Sequence, residues 1–579
     1  MRRRLIHLLV PLLLAAATAA VAPAGDAGYY RLHLLWTSDI HGHIAPEGAR
    51  YMNPEFPPPM GGGATAAAYI KSVREEAARR GEGVLLVDVG DIFQGTPVGN
   101  KTRGMAVVDY FNAAGYDFVV PGNHDFDMGR DNCERLARAS KMPWLCCNLR
   151  DARTGKIVDW CRPTAMREYG GVKIGIIGAI TPATVQMAFP ENIKGLIFDP
   201  LVPTVRHYRD ELRAQGADLV FLLVHEGLPR DARARWKRLM QDAETDNDRR
   251  DSATPAYGHV QSGGVDMMKL VHEVDGIAVA VGGHTHVGYN EPWIDPVTHT
   301  MCFECYPNGS SVGHAILLID PASKVLVGYR KPHDRGVLIN VFEDEIWPDT
   351  TVQKVLAPSI AAAEAAMNTV VGEAAVPLTR GGPGENLVGN LVTDAMREYF
   401  DADFSFQNLG GLRADIPAGP ITSRTIFSVL PFGNQLVVVK MDGRTIRRIL
   451  ERKLRGNSAG ICISGARITY SKQRPDWDRL CSVLIDGKPL EYDRVYRAVC
   501  TNYLIEGNSG LDFLSTIPDS LVELSLITTA EAVERYVREH SPLRPRIDDR
   551  WREVPDCEQA PYLRAPYLPA PSRQAALAR

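Results

Sequence analysis

The chain has 579 residues, 45% hydrophobic and 23% charged, an ordinary globular composition in a length that exceeds one core and predicts two domains with extensions. Its net charge of −4 comes from 65 Lys and Arg against 69 Asp and Glu. That balance excludes the broad basic surface that grips duplex nucleic acid but leaves room for a small anionic ligand, which needs only local positive charge.

The chain opens like an export signal. Met1-Arg2-Arg3-Arg4 is basic, Leu5 to Leu14 is apolar apart from His7 and Pro11, and Ala15 to Ala24 is a run of small residues offering Ala22-Pro23-Ala24 for cleavage. The apolar run is too short for a spanning helix. Residues 1–24 are therefore expected to be removed, leaving a periplasmic or secreted chain with no stable membrane insertion. Oligomeric state is not legible.

Strands are predicted at Arg31 to Thr37, Gly83 to Val89, Tyr116 to Val120, Val172 to Ala179, Leu219 to Val224 and Gly276 to Val281. Helices are predicted at Ala64 to Arg80, Met105 to Ala114 and Pro203 to Gln215. Apolar runs alternating with amphipathic helices indicate a layered α/β domain, given the bounds 29–335. Pro229 to Gly264 reads as a solvated insertion, because its charges are of mixed sign. An Ala-rich helix within Trp347 to Met367, interrupted at Pro358, is read as part of a connector over 336–369. A smaller α/β domain follows over 370–550, and 551–579 is read as a Pro/Ala-rich tail.

Five polar clusters end predicted strands: "SDIHGH", "DVGDIFQGTP", "PGNHDFDMG", "VHEG" and "GGHTH". Layered α/β folds place ligands at the carboxyl ends of strands. Asp39 and His41 lie two apart, so both side chains can approach one ion; His284 and His286 are again two apart, and Asp91, Asn123 and His225 complete the set. Carboxylate, imidazole and amide oxygen together suit Zn²⁺, Mn²⁺ or Fe²⁺ better than an all-oxygen Ca²⁺ site.

The ordered motifs "DIHGH", "GDIFQG", "GNHDFD", "VHEG" and "GGHTH" resemble those of the calcineurin-like metallophosphoesterases, and within them the 5′-nucleotidase family with its UDP-sugar hydrolases and 2′,3′-cyclic phosphodiesterases. The resemblance implies a four-layer α/β/β/α sandwich and two divalent metal ions. One ion would be held by Asp39, His41, Asp91 and His286, the other by Asp91, Asn123, His225 and His284, with Asp91 bridging. It also implies that His124, oriented by Asp127, stabilises the transition state, while Asp125 is structural.

Four later segments, "ENLVGNLVTDAM", "QNLGGLRADI", "LPFGNQL" and "TNYLIEGNSGLDF", resemble the family's nucleotide-binding segments. By that match Phe432 and Tyr503 would sandwich a base, Arg413 would hold phosphate or nearby oxygens, and Asn408 and Asn434 would line the pocket. Arg413 pairing with Asp415 is the plainer alternative. Ser509 stands where the family often carries an acid that contacts the sugar. The implied activity is hydrolysis of nucleotide phosphate esters; the alternatives are a cyclic-nucleotide phosphodiesterase or 3′-nucleotidase, a UDP-sugar hydrolase, and a non-enzymatic nucleotide-binding protein.

Ten cysteines in an exported chain can form disulfides. Two local groupings are expected, Cys133, Cys146, Cys147 and Cys161, and Cys462, Cys481 and Cys500; Cys302 and Cys305 form either a local disulfide or two buried thiols.

Overall fold

The computed structural model describes residues 28–557 except 50, 51, 54, 189, 190, 245–264, 382–384 and 456–459; the expected export signal and most of the tail lie outside the described residues. Strand Tyr30–Thr37 sets the architecture. It turns Leu32, Leu34 and Trp36 to one side and Leu35 to the other, and both sides are buried. It pairs in parallel with Gly83–Asp88 and antiparallel with Ser311–Asp320, and the sheet continues through Phe118–Val119 and Trp144–Leu145. A second sheet runs Trp293–Ile294, Met301–Glu304, Val279–Gly282, Leu219–His225, Val172–Ile180, Thr164–Tyr169.

Alternation on each strand builds the layers. In Leu219–His225, Leu219, Phe221 and Leu223 face the first sheet, while Val220, Leu222 and Val224 face helices Leu201–Ala214 and Met267–Glu273. Every residue of that strand is buried, as a strand covered on both faces requires. Helices Gly63–Arg80, Met105–Ala114 and Arg130–Ala139 cover the outer face of the first sheet. The result is the expected four-layer α/β/β/α sandwich. No helix among the described residues is long and apolar enough to cross a membrane.

The segment read as a connector is part of this body. Leu338–Asn340 pairs with Ser311–Asp320, and helix Thr350–Met367 packs Val352, Leu356 and Ala363 into the same core as the helices above. Pro358 does not interrupt it. Pro358 is on the exposed side, so the Lys354 carbonyl that loses its helical donor can turn to water.

The smaller domain is built on a sheet ordered Ile461–Ser464, Phe404–Asn408, Val495–Thr501, Gln435–Asp442, Val522–Thr528. Gln435–Asp442 again divides its residues: Val437, Val439 and Met441 on one side, Leu436 and Val438 on the other. The first residues of the expected tail belong here. Trp551–Glu553 pairs in parallel with Ala466–Tyr470, and Cys557 is bonded to Cys481.

Neither expected cysteine grouping is bonded within itself, although Cys133, Cys146 and Cys161 share one core. The other eight cysteines are buried thiols. Cys147 lies on the opposite side of the sheets from Cys133, Cys146 and Cys161; Cys462 and Cys500 face opposite sides of their sheet. Cys302 and Cys305 likewise fall in different cores, which leaves them as two thiols.

Candidate dinuclear metal centre

The carboxyl ends of the parallel strands in both sheets converge, and their loops are tied backbone to backbone. The N–H of Asp39 donates to Gly90 O at 2.9 Å and that of His41 to Asp91 O at 2.9 Å. Asp39, His41, Asp91, His284 and His286 have φ of 51°, 49°, 56°, 74° and 58°. Non-glycine residues rarely occupy that left-handed region, and clusters of them mark functional sites. The packing is tight enough that a Cβ on Gly122 would lie 2.2 Å from Asp91 Oδ1.

The expected ligands fall into two groups that share one residue: Asp39, His41, Asp91 and His286, and Asp91, His225 and His284, with potential ligand atoms within 4.8 Å of one another in each. His41 Nδ1 lies 2.6 Å from Gln94 O and His225 Nδ1 lies 2.7 Å from Val89 O. A carbonyl only accepts, so each Nδ1 carries a proton and Nε2 is the atom left to serve as ligand once it is deprotonated. His41 Nε2 is 3.0 Å from His286 Nε2, which is itself 3.4 Å from Asp39 Oδ1. His225 Nε2 is 3.2 Å from Asp91 Oδ2 and 3.1 Å from Asn123 Oδ1, and His41 Nε2 is 3.9 Å from the same Asp91 oxygen. Lone pairs and carboxylates facing one another in a buried site are what a cation resolves, and the donor set fits divalent transition ions.

Burial opposes ionisation of Asp91, but His225, His124 and His41 outweigh it and hold its carboxyl well below the ordinary range. Burial likewise opposes a charge on His124, yet Asp127 and Asp91 push its pKa up to about 10. His124 donates its backbone N–H to Asp91 Oδ1 at 2.7 Å and holds Asp127 Oδ2 at 2.8 Å through Nδ1. Asp125 faces away from this chemistry. It accepts the N–H groups of Gly122, Ile92 and Asp91 at 2.7, 3.0 and 3.1 Å, which makes it the brace of two loops.

The second domain borders the centre. Gln94 Nε2 reaches the Phe432 carbonyl at 3.4 Å. Glu506 sits in the field of Asp127 and His124, and burial followed by the Asp127 charge raises its pKa to about 8. Sequence reasoning passed over both residues, although each lies inside a quoted motif. Phe432 and Tyr503 are large exposed aromatics. Phe432 and Asn434 line a depression with Gln407, Leu430 and Thr529; Asn408, Arg413 and Tyr503 are outside it. Asn408 is buried and its side-chain oxygen accepts from Gln407 at 3.1 Å. The Arg413 guanidinium lies 5.7 Å from the Phe432 ring, and Asp415 pairs with Arg380 at 3.4 Å.

Comparison with known proteins gives the same two parts. Residues 32–288 match the calcineurin-like phosphoesterase model, and residues 370–516 match the 5′-nucleotidase C-terminal domain. The 5′-nucleotidase of Vibrio parahaemolyticus is 26% identical, over 89% of this chain and 90% of its own. The endonuclease YhcR of Bacillus subtilis is 25% identical over 84% of this chain, which spans only 39% of YhcR. A crystal structure of a putative 5′-nucleotidase from Staphylococcus aureus shares the fold, with a TM-score of 0.71 at 20% identity over 90% of this chain and 99% of that one. The chain belongs to the 5′-nucleotidase family of calcineurin-like metallophosphoesterases and is a metal-dependent phosphoric ester hydrolase.

Proposed function

We propose that this enzyme hydrolyses nucleoside 5′-monophosphates with two divalent cations, one held by Asp39, His41, Asp91 and His286 and the other by Asp91, Asn123, His225 and His284. The observation that carries the reading is the pair of ligand groups meeting at Asp91. Divalent cations held by these residues would supply activation of a water and neutralisation of phosphoryl oxygens. The chain's own part is orientation and charge. With Nδ1 engaged by Asp127, His124 keeps Nε2–H to donate to the phosphoryl group as negative charge builds on it. Gln94 reaches the second domain at the Phe432 carbonyl, and Glu506 of that domain lies in the field of Asp127 and His124.

Stripping the protein with a chelator should reduce phosphate release from AMP to background, and Mn²⁺ should restore it. Release that persists in fully stripped protein would contradict the reading. The same assay on 2′,3′-cyclic AMP and UDP-glucose ranks the alternative substrates. The reading takes residues 1–24 as a removed export signal, placing the enzyme in the periplasm or outside the cell; the mass of the mature chain decides this.

Phe432 and Tyr503 are proposed to stack the base, with Arg413 and Asn434 contributing polar contacts and Asn408 supporting the pocket from behind through Gln407. Stacking is worth about 1–3 kcal/mol per base, so F432A or Y503A should raise KM for AMP roughly tenfold with a smaller change in kcat. Unchanged KM in both variants would remove the stacking assignment.

A further inference from the structure

Strand Leu219–His225 ends on His225 and the loop after Val279–Gly282 carries His284 and His286; the loops that follow the two strands approach each other closely. A Cβ on Gly227 would lie 2.4 Å from Gly283 O and 2.4 Å from Thr285 Oγ1. The Thr285 hydroxyl is 2.9 Å from Leu228 O, and the Tyr289 hydroxyl donates to Pro229 O. Between the two loops stands Glu304, the last residue of strand Met301–Glu304, with no solvent exposure. Its Oε2 accepts the Leu228 N–H at 2.7 Å and its Oε1 meets the Thr285 hydroxyl at 2.5 Å. Its backbone carbonyl takes the Tyr289 N–H at 3.1 Å.

We propose that Glu304 is a positioning residue whose carboxyl group fixes the separation of the His225 loop from the His284–His286 loop, and so the geometry of the ligands in both metal groups. The proposal rests on the dinuclear reading above. One residue reaches both loops through one planar group, so a shift of either loop breaks a hydrogen bond in a site closed to water.

Thr285 has one hydroxyl proton to place between Leu228 O and Glu304 Oε1, and the Val287 N–H also donates to the carboxyl group. With the hydroxyl proton directed to Leu228 O, the hydroxyl oxygen faces Glu304 as an acceptor, and a protonated carboxyl group completes the contact. Burial, the main cause, together with the nearby Asp39 charge, keeps this carboxyl well above the ordinary range. A neutral acid donates on one arm and accepts on the other without adding a further anion beside Asp39. Glutamine has the same shape and the same pair of functions.

The test compares E304A and E304Q with the parent. Chelator-stripped proteins are titrated with Mn²⁺ alone by calorimetry, and kcat and KM for AMP are then measured at saturating Mn²⁺. E304A is expected to weaken Mn²⁺ binding about 10- to 100-fold and lower kcat while KM holds, the usual size of an outer-shell loss. E304Q is expected to bind Mn²⁺ within about threefold of the parent, under 1 kcal/mol. Unchanged Mn²⁺ affinity in E304A, or an E304Q as weak as E304A, overturns the proposal. If E304A does not fold, E304D takes its place because it keeps the carboxyl group but draws it one methylene back from both loops: weakened Mn²⁺ binding supports the proposal and parent-like binding overturns it. Failure of the dinuclear reading shows in the parent itself, as fewer than two bound Mn²⁺ ions before any variant is compared, and takes this proposal with it.

Discussion

Replacing Asp91 with alanine should cost phosphate release from AMP about a thousandfold or more and strip the protein of both cations. Asp91 is the residue common to the two ligand groups, and one of its oxygens lies 3.2 Å from His225 Nε2 and 3.9 Å from His41 Nε2. Removing it takes a carboxylate from both sites at once. It also takes the partner of the His124 backbone N–H, held at 2.7 Å. Cation stabilisation of a phosphoryl transition state is worth several kcal/mol, and about 1.4 kcal/mol is tenfold in rate, which sets the scale. Asp39 belongs to only one group, so D39A should spare much of the binding at the other. Metal analysis and kcat together check this: a D91A protein holding two ions at the parent rate would contradict it.

Replacing His124 with alanine should lower kcat about 100- to 1,000-fold while leaving metal stoichiometry at the parent value. His124 is absent from both ligand groups, and its ring is held by Asp127 at 2.8 Å. A donor that acts only as charge builds lowers kcat and kcat/KM together and leaves KM nearly unchanged. D127N keeps the shape but weakens the hold on the ring, so a smaller loss is expected. A loss of bound metal in H124A would instead make His124 a ligand.

These roles divide sharply in how far they could be read from the sequence. The strands were legible because Leu219–His225 is apolar on both faces up to its last residue and Tyr30–Thr37 carries Leu32, Leu34 and Trp36 on one face, and the candidate ligands were legible because they stand at or just beyond the ends of such runs. The grouping around Asp91 was implied by motif resemblance alone, since nothing in local spacing tells which loops meet. Left-handed φ at Asp39, His41, Asp91, His284 and His286 was equally hidden: these are not glycines, and tertiary packing imposes the conformation. Pro358 misled because a helix-breaking residue is tolerated where the freed carbonyl faces water. The Cys481–Cys557 bond spans 76 residues and joins the start of the expected tail to the second domain, a pairing that only the strand register of Trp551–Glu553 brings about. Glu304 stayed unnoticed between the two cysteines of its C-x-x-C spacing, because its partners are backbone N–H and hydroxyl groups on loops distant in sequence. In the second domain Phe432 and Asn434 do line one depression, whereas the structure leaves Asn408 turned to Gln407.

The most direct measurement is anomalous diffraction from crystals of the Mn²⁺-loaded enzyme. Two peaks are expected about 3.5–4 Å apart, the spacing of two-metal phosphoesterase sites. One should touch Asp39, His41 and His286, the other Asn123, His225 and His284, with Asp91 between them. A single peak, or two peaks with no shared Asp91, would contradict the account.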